Sequence, residues 1–441
     1  MPFFHDANEE FRDLNHYEKN VIYLTVFGGF FACFDFTVYF YFNDIINQAF
    51  FPDNMSESLK SVCFLLLILL GYVSRPLGGI ILGDLGDRYG RKPVLLYSLL
   101  LVGSSSLLIA CLPTYEQIGS AAVILMVMLR LAQGFGYGAE VPASWVYLAE
   151  HMPRRQLGAV CGWLVSGLIL SALMGNILSV MLPNILNPDE MLAYGWRIPF
   201  VIASVGTLFA VVLRLKLEET PIWASAKNRN RLIKRLPLRT ALLKYRYGSV
   251  MSFGLSWFTA SVYLLCFLLL PMLGVQFFEV DASLMAISNG MGIFFGALGA
   301  VVFGYLADRF NPGRVFTLGC IGLALASIMF FVSLKQSSEL LLLNYAILGF
   351  FSGVIGIIPS VCVRLFPVHV RQSGISFSYN VTYAITGALL PMALVYFSHK
   401  LMLSPVLYLV FTCVIGVIMG ILLTNLNGLY RMEEKRLEKS S

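Results

Sequence analysis

The sequence predicts an all-α polytopic membrane protein whose twelve transmembrane helices form two pseudo-symmetric six-helix bundles. Three observations carry that expectation. The 441-residue chain is 58% hydrophobic and only 13% charged, with a mean hydropathy of +0.76, which is too apolar for a water-soluble domain. Its apolar runs are long enough to cross a hydrocarbon core about 30 Å thick. A charged stretch, Gly83-Asp-Leu-Gly-Asp-Arg-Tyr-Gly-Arg-Lys92, returns in reduced form as Gly304-Tyr-Leu-Ala-Asp-Arg-Phe310, half a chain length later. A loop repeated at that interval indicates two homologous halves that rock about a central site.

The apolar runs place spans at roughly 21–43, 59–82, 94–112, 119–142, 157–183, 197–215, 249–275, 284–306, 315–334, 340–365, 373–398 and 405–426. The halves are therefore 1–217 and 247–441, joined by a basic linker at 218–246. That linker fits either a short amphipathic helix on anionic headgroups or a solvated tether. The first twenty residues are polar and mixed in charge, unlike a cleavable signal peptide.

Four basic residues lie near one side of the membrane (Lys60, Arg197, Lys335, Lys400) and three lie inside spans (Arg75, Arg130, Arg364). The rest collect on the other side, in the N-terminus, both repeated loops, the linker and the tail. The positive-inside rule puts that side, with both termini, in the cytoplasm. The net charge of +6 is thus an orientation signal and no nucleic-acid footprint.

Glycines four apart (Gly79/Gly83, Gly134/Gly138, Gly292/Gly296, Gly349/Gly353) suit close helix approach in lipid. At Gly134–Gly138 a thinned helix also fits the wall of a substrate path. All eight cysteines fall inside apolar spans without a CxxC pair, as packing residues do. The five histidines lack metal-ligand spacing, and no Gly-x4-Gly-Lys-Ser/Thr loop occurs. The sequence thus points away from an enzyme and implies neither cofactor nor metal.

Ionisable groups inside a membrane need a partner or a purpose. Asp35 lies roughly 20 Å into span 1, and Arg75 roughly 12 Å from the repeated loop in span 2. Their heights overlap, so the two can meet, either as a proton switch or as a structural ion pair. In the first case, protonating Asp35 frees Arg75 to grip a solute carboxylate with its planar fork. Arg130 and Glu140, about 15 Å apart along span 4, cannot pair with each other. Arg130 is placed to reach Asp35, and Glu140 to serve as a second protonation site, though structural hydrogen bonding fits both equally. Tyr39 stands one turn from Asp35, and Asn380 is a buried amide that needs partners.

In order along the chain, several stretches resemble the metabolite:proton symporter family of the major facilitator superfamily. They are Gly83–Lys92 itself, Phe34-Asp-Phe-Thr-Val-Tyr39, Ser74-Arg-Pro-Leu-Gly-Gly79, Arg130-Leu-Ala-Gln-Gly134 and Gly138-Ala-Glu140. Further on come Ala149-Glu-His-Met-Pro153, Gly195-Trp-Arg-Ile-Pro-Phe200, Glu219-Thr-Pro-Ile-Trp223, Phe366-Pro-Val-His-Val-Arg371 and Tyr379-Asn380. The resemblance implies the major facilitator fold in a bacterial inner membrane. It also implies proton-coupled uptake of a small carboxylate-bearing solute, either an osmolyte- or amino-acid-like zwitterion or an organic acid. The partners expected are that solute, the proton and the bilayer, with the chain acting as a monomer. A non-transporting nutrient sensor and a drug:proton efflux antiporter are the alternatives.

By the same resemblance, spans 1, 7 and 11 line the cavity, which makes Tyr39, Trp257, Tyr379 and Asn380 candidates for solute contact beside Arg75 and Arg130. Their aromatic faces suit a quaternary ammonium. Gly83, Asp87, Arg88, Gly90 and Arg91 would form a gate latch with Glu150, mirrored in the second half by Asp308 and Arg309. Asp87 would cap or pair at the cytoplasmic face and Arg91 bridge to Glu150. Two departures from the family pattern stand out. Arg364 replaces an acid three residues before Pro367, where it would complement Glu150, attract anionic solute or snorkel. The tail after span 12 is too short for the coiled coil of some relatives.

Overall fold

A computed structural model describes residues 12–52, 55–229, 232, 237–334 and 338–425. Residues 1–11, the basic C-terminal tail, Lys335 and linker residues 230, 231 and 233–236 lie outside the described residues. Among the described residues every regular element is helical. Twelve helices are long and apolar enough to span a membrane. They are α1 His16–Tyr41, α2 Leu66–Tyr89, α3 Arg91–Ala110, α4 Ser120–His151, α5 Arg154–Ile185 and α6 Pro188–Arg214. The second set is α7 Arg246–Phe278, α8 Ala282–Arg309, α9 Pro312–Ser333, α10 Leu340–Cys362, α11 Val368–Lys400 and α12 Ser404–Thr424.

The packing repeats from one half to the other. In the first half α1 packs on α5, α2 on α4 and α3 on α6; in the second α7 packs on α11, α8 on α10 and α9 on α12. The halves join along two long seams, α5 against α8 and α2 against α11. Leu77, Ile124, Phe209, Leu318 and Phe411 are each more than half exposed on the outer surface. So large an apolar exterior belongs in lipid, where it needs no cover.

Local sequence explains where the helices begin, end and bend. Asn15 and Glu18 form a reciprocal capping box at the start of α1. Pro76, Pro142 and Pro391 lie inside α2, α4 and α11, each removing a backbone donor where a helix can bend. In α7 a π-helical turn covers Leu264–Leu269. There the carbonyls of Cys266 and Phe267 accept hydrogen bonds from Tyr345 and Tyr41 at 2.9 and 3.3 Å.

Several expected boundaries shift. The stretch from Gly83 to Tyr89 is the last part of α2, not a loop, and α4 and α8 likewise run on to His151 and Arg309. Between α2 and α3 the single residue Gly90 breaks the helix, with φ of 124°, a conformation that side chains rarely adopt. The paired glycines act as close-contact points. A Cβ on Gly134 or Gly138 would strike the backbone oxygens of Gly71 and Arg75 on α2, and one on Gly349 would strike Gly292. Gly134 and Gly138 thus pack against α2.

Candidate functional site

At the centre, side chains from both halves close around the Arg75 guanidinium. Phe36 from α1, Tyr72 from α2, Tyr137 from α4, and Tyr379 and Tyr383 from α11 place their rings 4.5–5.4 Å from its central carbon. This is cation–π contact on several sides at once. Nε donates to Asn380 Oδ1 at 3.3 Å, whereas Nη2 is buried without a hydrogen-bond partner. A cavity of about 30 Å³ remains beside it, bordered by Trp145, Thr37, Thr259 and Tyr263 among others. That is room for about one water, so the site is closed around its own arginine.

Asp35 does not meet Arg75, contrary to expectation. Its carboxylate accepts hydrogen bonds from the Ser106 hydroxyl on α3 and the Gln133 amide on α4. Phe36, the next residue, points into the cage instead, because successive residues diverge by about 100° around a helix. Height along the span was legible, but azimuth was not. Arg130 reaches Asp35 only indirectly: its Nη1 donates to Gln133 Oε1 at 2.7 Å. The Arg130 guanidinium lies 3.5 Å over the Tyr39 ring and 5.1 Å over Phe36. Tyr39 therefore belongs to this second cluster, its hydroxyl against Met126 Sδ at 3.4 Å. Phe36 is shared, in contact with both guanidinium groups.

Glu140 faces away from the cavity. It pairs with Arg214 at 2.8 Å and accepts from Ser98 and Ser144. Arg214, at the end of α6, was not singled out in the sequence; it is fully buried and also donates to the Leu24 and Thr25 carbonyls. This ion pair ties α4 and α6 to α1. Removing one partner from such a pair strands a buried charge, so Glu140→Gln should lower stability by about 3–5 kcal/mol. Thermal unfolding in detergent checks it, and an unchanged midpoint would show that the pair is not structural.

Trp257 also lies outside the cavity, packed edge-on to Tyr408 and Phe411 of α12. Trp145, which no sequence signal separated from the other aromatics, borders the cavity in its place and contacts Tyr379.

The repeated motifs form two reciprocal caps. Asp87, at the end of α2, accepts from the backbone N–H groups of Gln372 and Ser373 at 3.1 and 2.9 Å, opening α11 of the other half. Asp308, at the end of α8, accepts from Gly158 and Ala159 at 2.7 Å each, opening α5. A carboxylate at a helix N-terminus satisfies orphan donors and meets the positive end of the dipole. Arg91 bonds Asp87 at 3.1 Å and Glu150 at 3.2 Å, and Arg371 bonds Glu150 at 2.8 Å. The linker joins in: Thr220 donates to Glu150 at 2.6 Å, Trp223 to the Asp87 carbonyl at 3.1 Å, and Glu219 caps the start of α3.

Arg364 does not complement Glu150, whose cations are Arg91 and Arg371. It donates to the Arg154 carbonyl at 2.6 Å, on the Asp308 side of the molecule. Arg88 pairs with Asp84 at 2.7 Å, and Arg309 lies over Tyr305, so neither joins a cap. At the far face, Asn176 donates to the Ala286 carbonyl at 2.9 Å, and Asn289 contacts Asn176 and Tyr345. Contacts between the halves thus occur on both sides of the central cavity.

Residues 25–391 match the family model described as Major Facilitator Superfamily. A putative proline/betaine transporter of Staphylococcus aureus is 30% identical over 425 residues, covering 94% of this chain and 89% of that protein. The proline/betaine transporter of Escherichia coli K12 is 29% identical over 413 residues, covering 89% and 81%. A solved structure of a proton:xylose symporter superposes with a TM-score of 0.75 at 17% identity, covering 92% of this chain and 94% of that one. The shared fold, the twelve spans and the family match agree: the chain belongs to the Major Facilitator Superfamily and is an integral membrane transporter.

Proposed function

We propose that the protein couples an inward proton flow to uptake of a small carboxylate-bearing solute across a bacterial inner membrane. In this reading the face carrying Asp87 and Asp308 is cytoplasmic, and the two caps latch the gate there. The observation that carries the proposal is the buried Arg75 guanidinium, ringed by aromatics from both halves with Nη2 unpaired. A carboxylate supplies what that nitrogen lacks. Rings that now face the guanidinium can hold a substrate ammonium, in keeping with relatives named as proline/betaine transporters.

Asp35 is the acid best suited to carry the proton. Glu140, Glu150 and Asp87 each bond an arginine directly, whereas Asp35 accepts only from a hydroxyl and an amide. Protonating it withdraws an acceptor from Gln133, the residue that holds Arg130, and Arg130 shares Phe36 with Arg75. Proton and solute then favour the same state, as symport requires.

Labelled proline, glycine betaine and a dicarboxylate should be tested for uptake into proteoliposomes under an inward-directed acid gradient. Accumulation of one of them is expected. Binding without acid-driven accumulation would replace the proposal with a sensor, and gradient-driven expulsion would replace it with an effluxer.

A further inference from the structure

Two nitrogens on the wall of the central cavity lack partners, and the carboxylate proposed above occupies only one of them. Among the described residues that border the cavity, Arg75 Nη2 and Trp145 Nε1 are the buried polar atoms without a hydrogen-bond partner. Neighbouring groups are already engaged. Thr37 donates to the Phe34 carbonyl at 3.0 Å and Thr259 to the Leu255 carbonyl at 2.9 Å. Tyr263 meets Cys33 of the other half at 3.4 Å.

A buried indole N–H usually finds an acceptor, and elsewhere in this chain one does: Trp223 donates to the Asp87 carbonyl at 3.1 Å. Trp145 is 1% exposed, so its N–H is stripped of solvent without compensation, which is unfavourable and rare. Trp196 Nε1 is also buried and unpaired, but its ring packs against Phe50 and Phe200 and does not border the cavity. A molecule entering the cavity can satisfy Trp145; it cannot reach Trp196.

Trp145 lies two turns beyond Tyr137 on α4, roughly 12 Å along the axis, and so borders the cavity on the motif side of the guanidinium. Tyr379 touches both groups, its ring centroid 5.0 Å from that of Trp145 and 5.3 Å from Arg75 Cζ. One small solute therefore reaches both nitrogens. An indole N–H donates and never accepts, so its partner is an acceptor oxygen, and an ammonium gains nothing at that end. We infer that the Trp145 N–H determines the specificity of the site by donating to a hydroxyl or carbonyl oxygen that the solute carries besides its carboxylate. The favoured solute is thus a hydroxy or oxo form of a carboxylate or zwitterion. Its deoxy counterpart leaves the donor stranded, which a buried site penalises more than a lost apolar contact. This second contact rests on the carboxylate proposed at Arg75.

The test compares solutes that differ by one hydroxyl: butyrobetaine against carnitine, proline against hydroxyproline, and propionate against lactate. Dissociation constants are read from thermal stabilisation of the purified protein in detergent. The hydroxylated member of at least one pair should bind about ten-fold tighter or more. Trp145→Phe, which keeps a ring beside Tyr379, should bring that ratio close to unity, while Trp196→Phe should leave it intact. The loss of the ratio, and not of binding itself, isolates the N–H from a packing role. Equal binding within every pair, or a ratio that survives Trp145→Phe, would overturn the inference. Should Trp145→Phe fail to fold, the benzothienyl isostere of Trp145, with sulfur in place of the N–H, decides by the same ratio. Failure of every solute to bind would instead remove the carboxylate from Arg75, and this contact with it.

Discussion

Arg75→Lys is expected to raise the apparent KM for a carboxylate solute by about ten- to a hundred-fold, with the protein still folded. A charge-assisted hydrogen bond is worth about 1.5–3 kcal/mol, and an ammonium cannot present the two parallel donors of a guanidinium. It also loses the flat face that five rings now surround. Arg75→Gln, which removes the charge, should abolish uptake. Initial-rate measurements in proteoliposomes read both effects. An unchanged KM for Arg75→Lys would assign the residue to packing and remove the central observation of the proposed function.

Asp35→Asn is expected to separate coupling from movement. Asparagine keeps the size of the side chain and an oxygen that accepts from Ser106 or Gln133, while it holds neither charge nor exchangeable acid proton. Solute exchange between equal compartments should therefore persist, whereas accumulation against a gradient should fall to the level of empty vesicles. Counterflow and acid-driven uptake, measured on the same preparation, distinguish the two. Full uphill uptake by Asp35→Asn would place the proton elsewhere and leave the Asp35–Gln133–Arg130 chain as structure only.

The twelve spans were legible because lipid imposes a length and a composition that few other folds need. Their cytoplasmic ends were not, since Asp87, Glu150 and Asp308 look like loop residues by charge although they sit on helices that outrun the hydrocarbon. Arg75 stood out as a charge inside a span and is indeed at the core. Arg214 did not, because it closes a span, and only the fold shows that its side chain turns inward to Glu140. Gln133 and Ser106 carry no charge, so nothing marked them as partners of Asp35. Trp257 was chosen by its helix and not by its direction. The exchange of Asp87 and Asp308 between halves was invisible for the same reason: repeats announce equivalence, but not which copy touches which.

That exchange has a consequence for how the molecule is assembled. The backbone donors that open α5 are stoppered by the second half, and those that open α11 by the first. Synthesised alone, each bundle would emerge with one fifth helix uncorked and one aspartate idle. The finished carrier is thus a mutual enclosure of two incomplete parts, and a chain severed within the linker would still have a chemical reason to find its missing half.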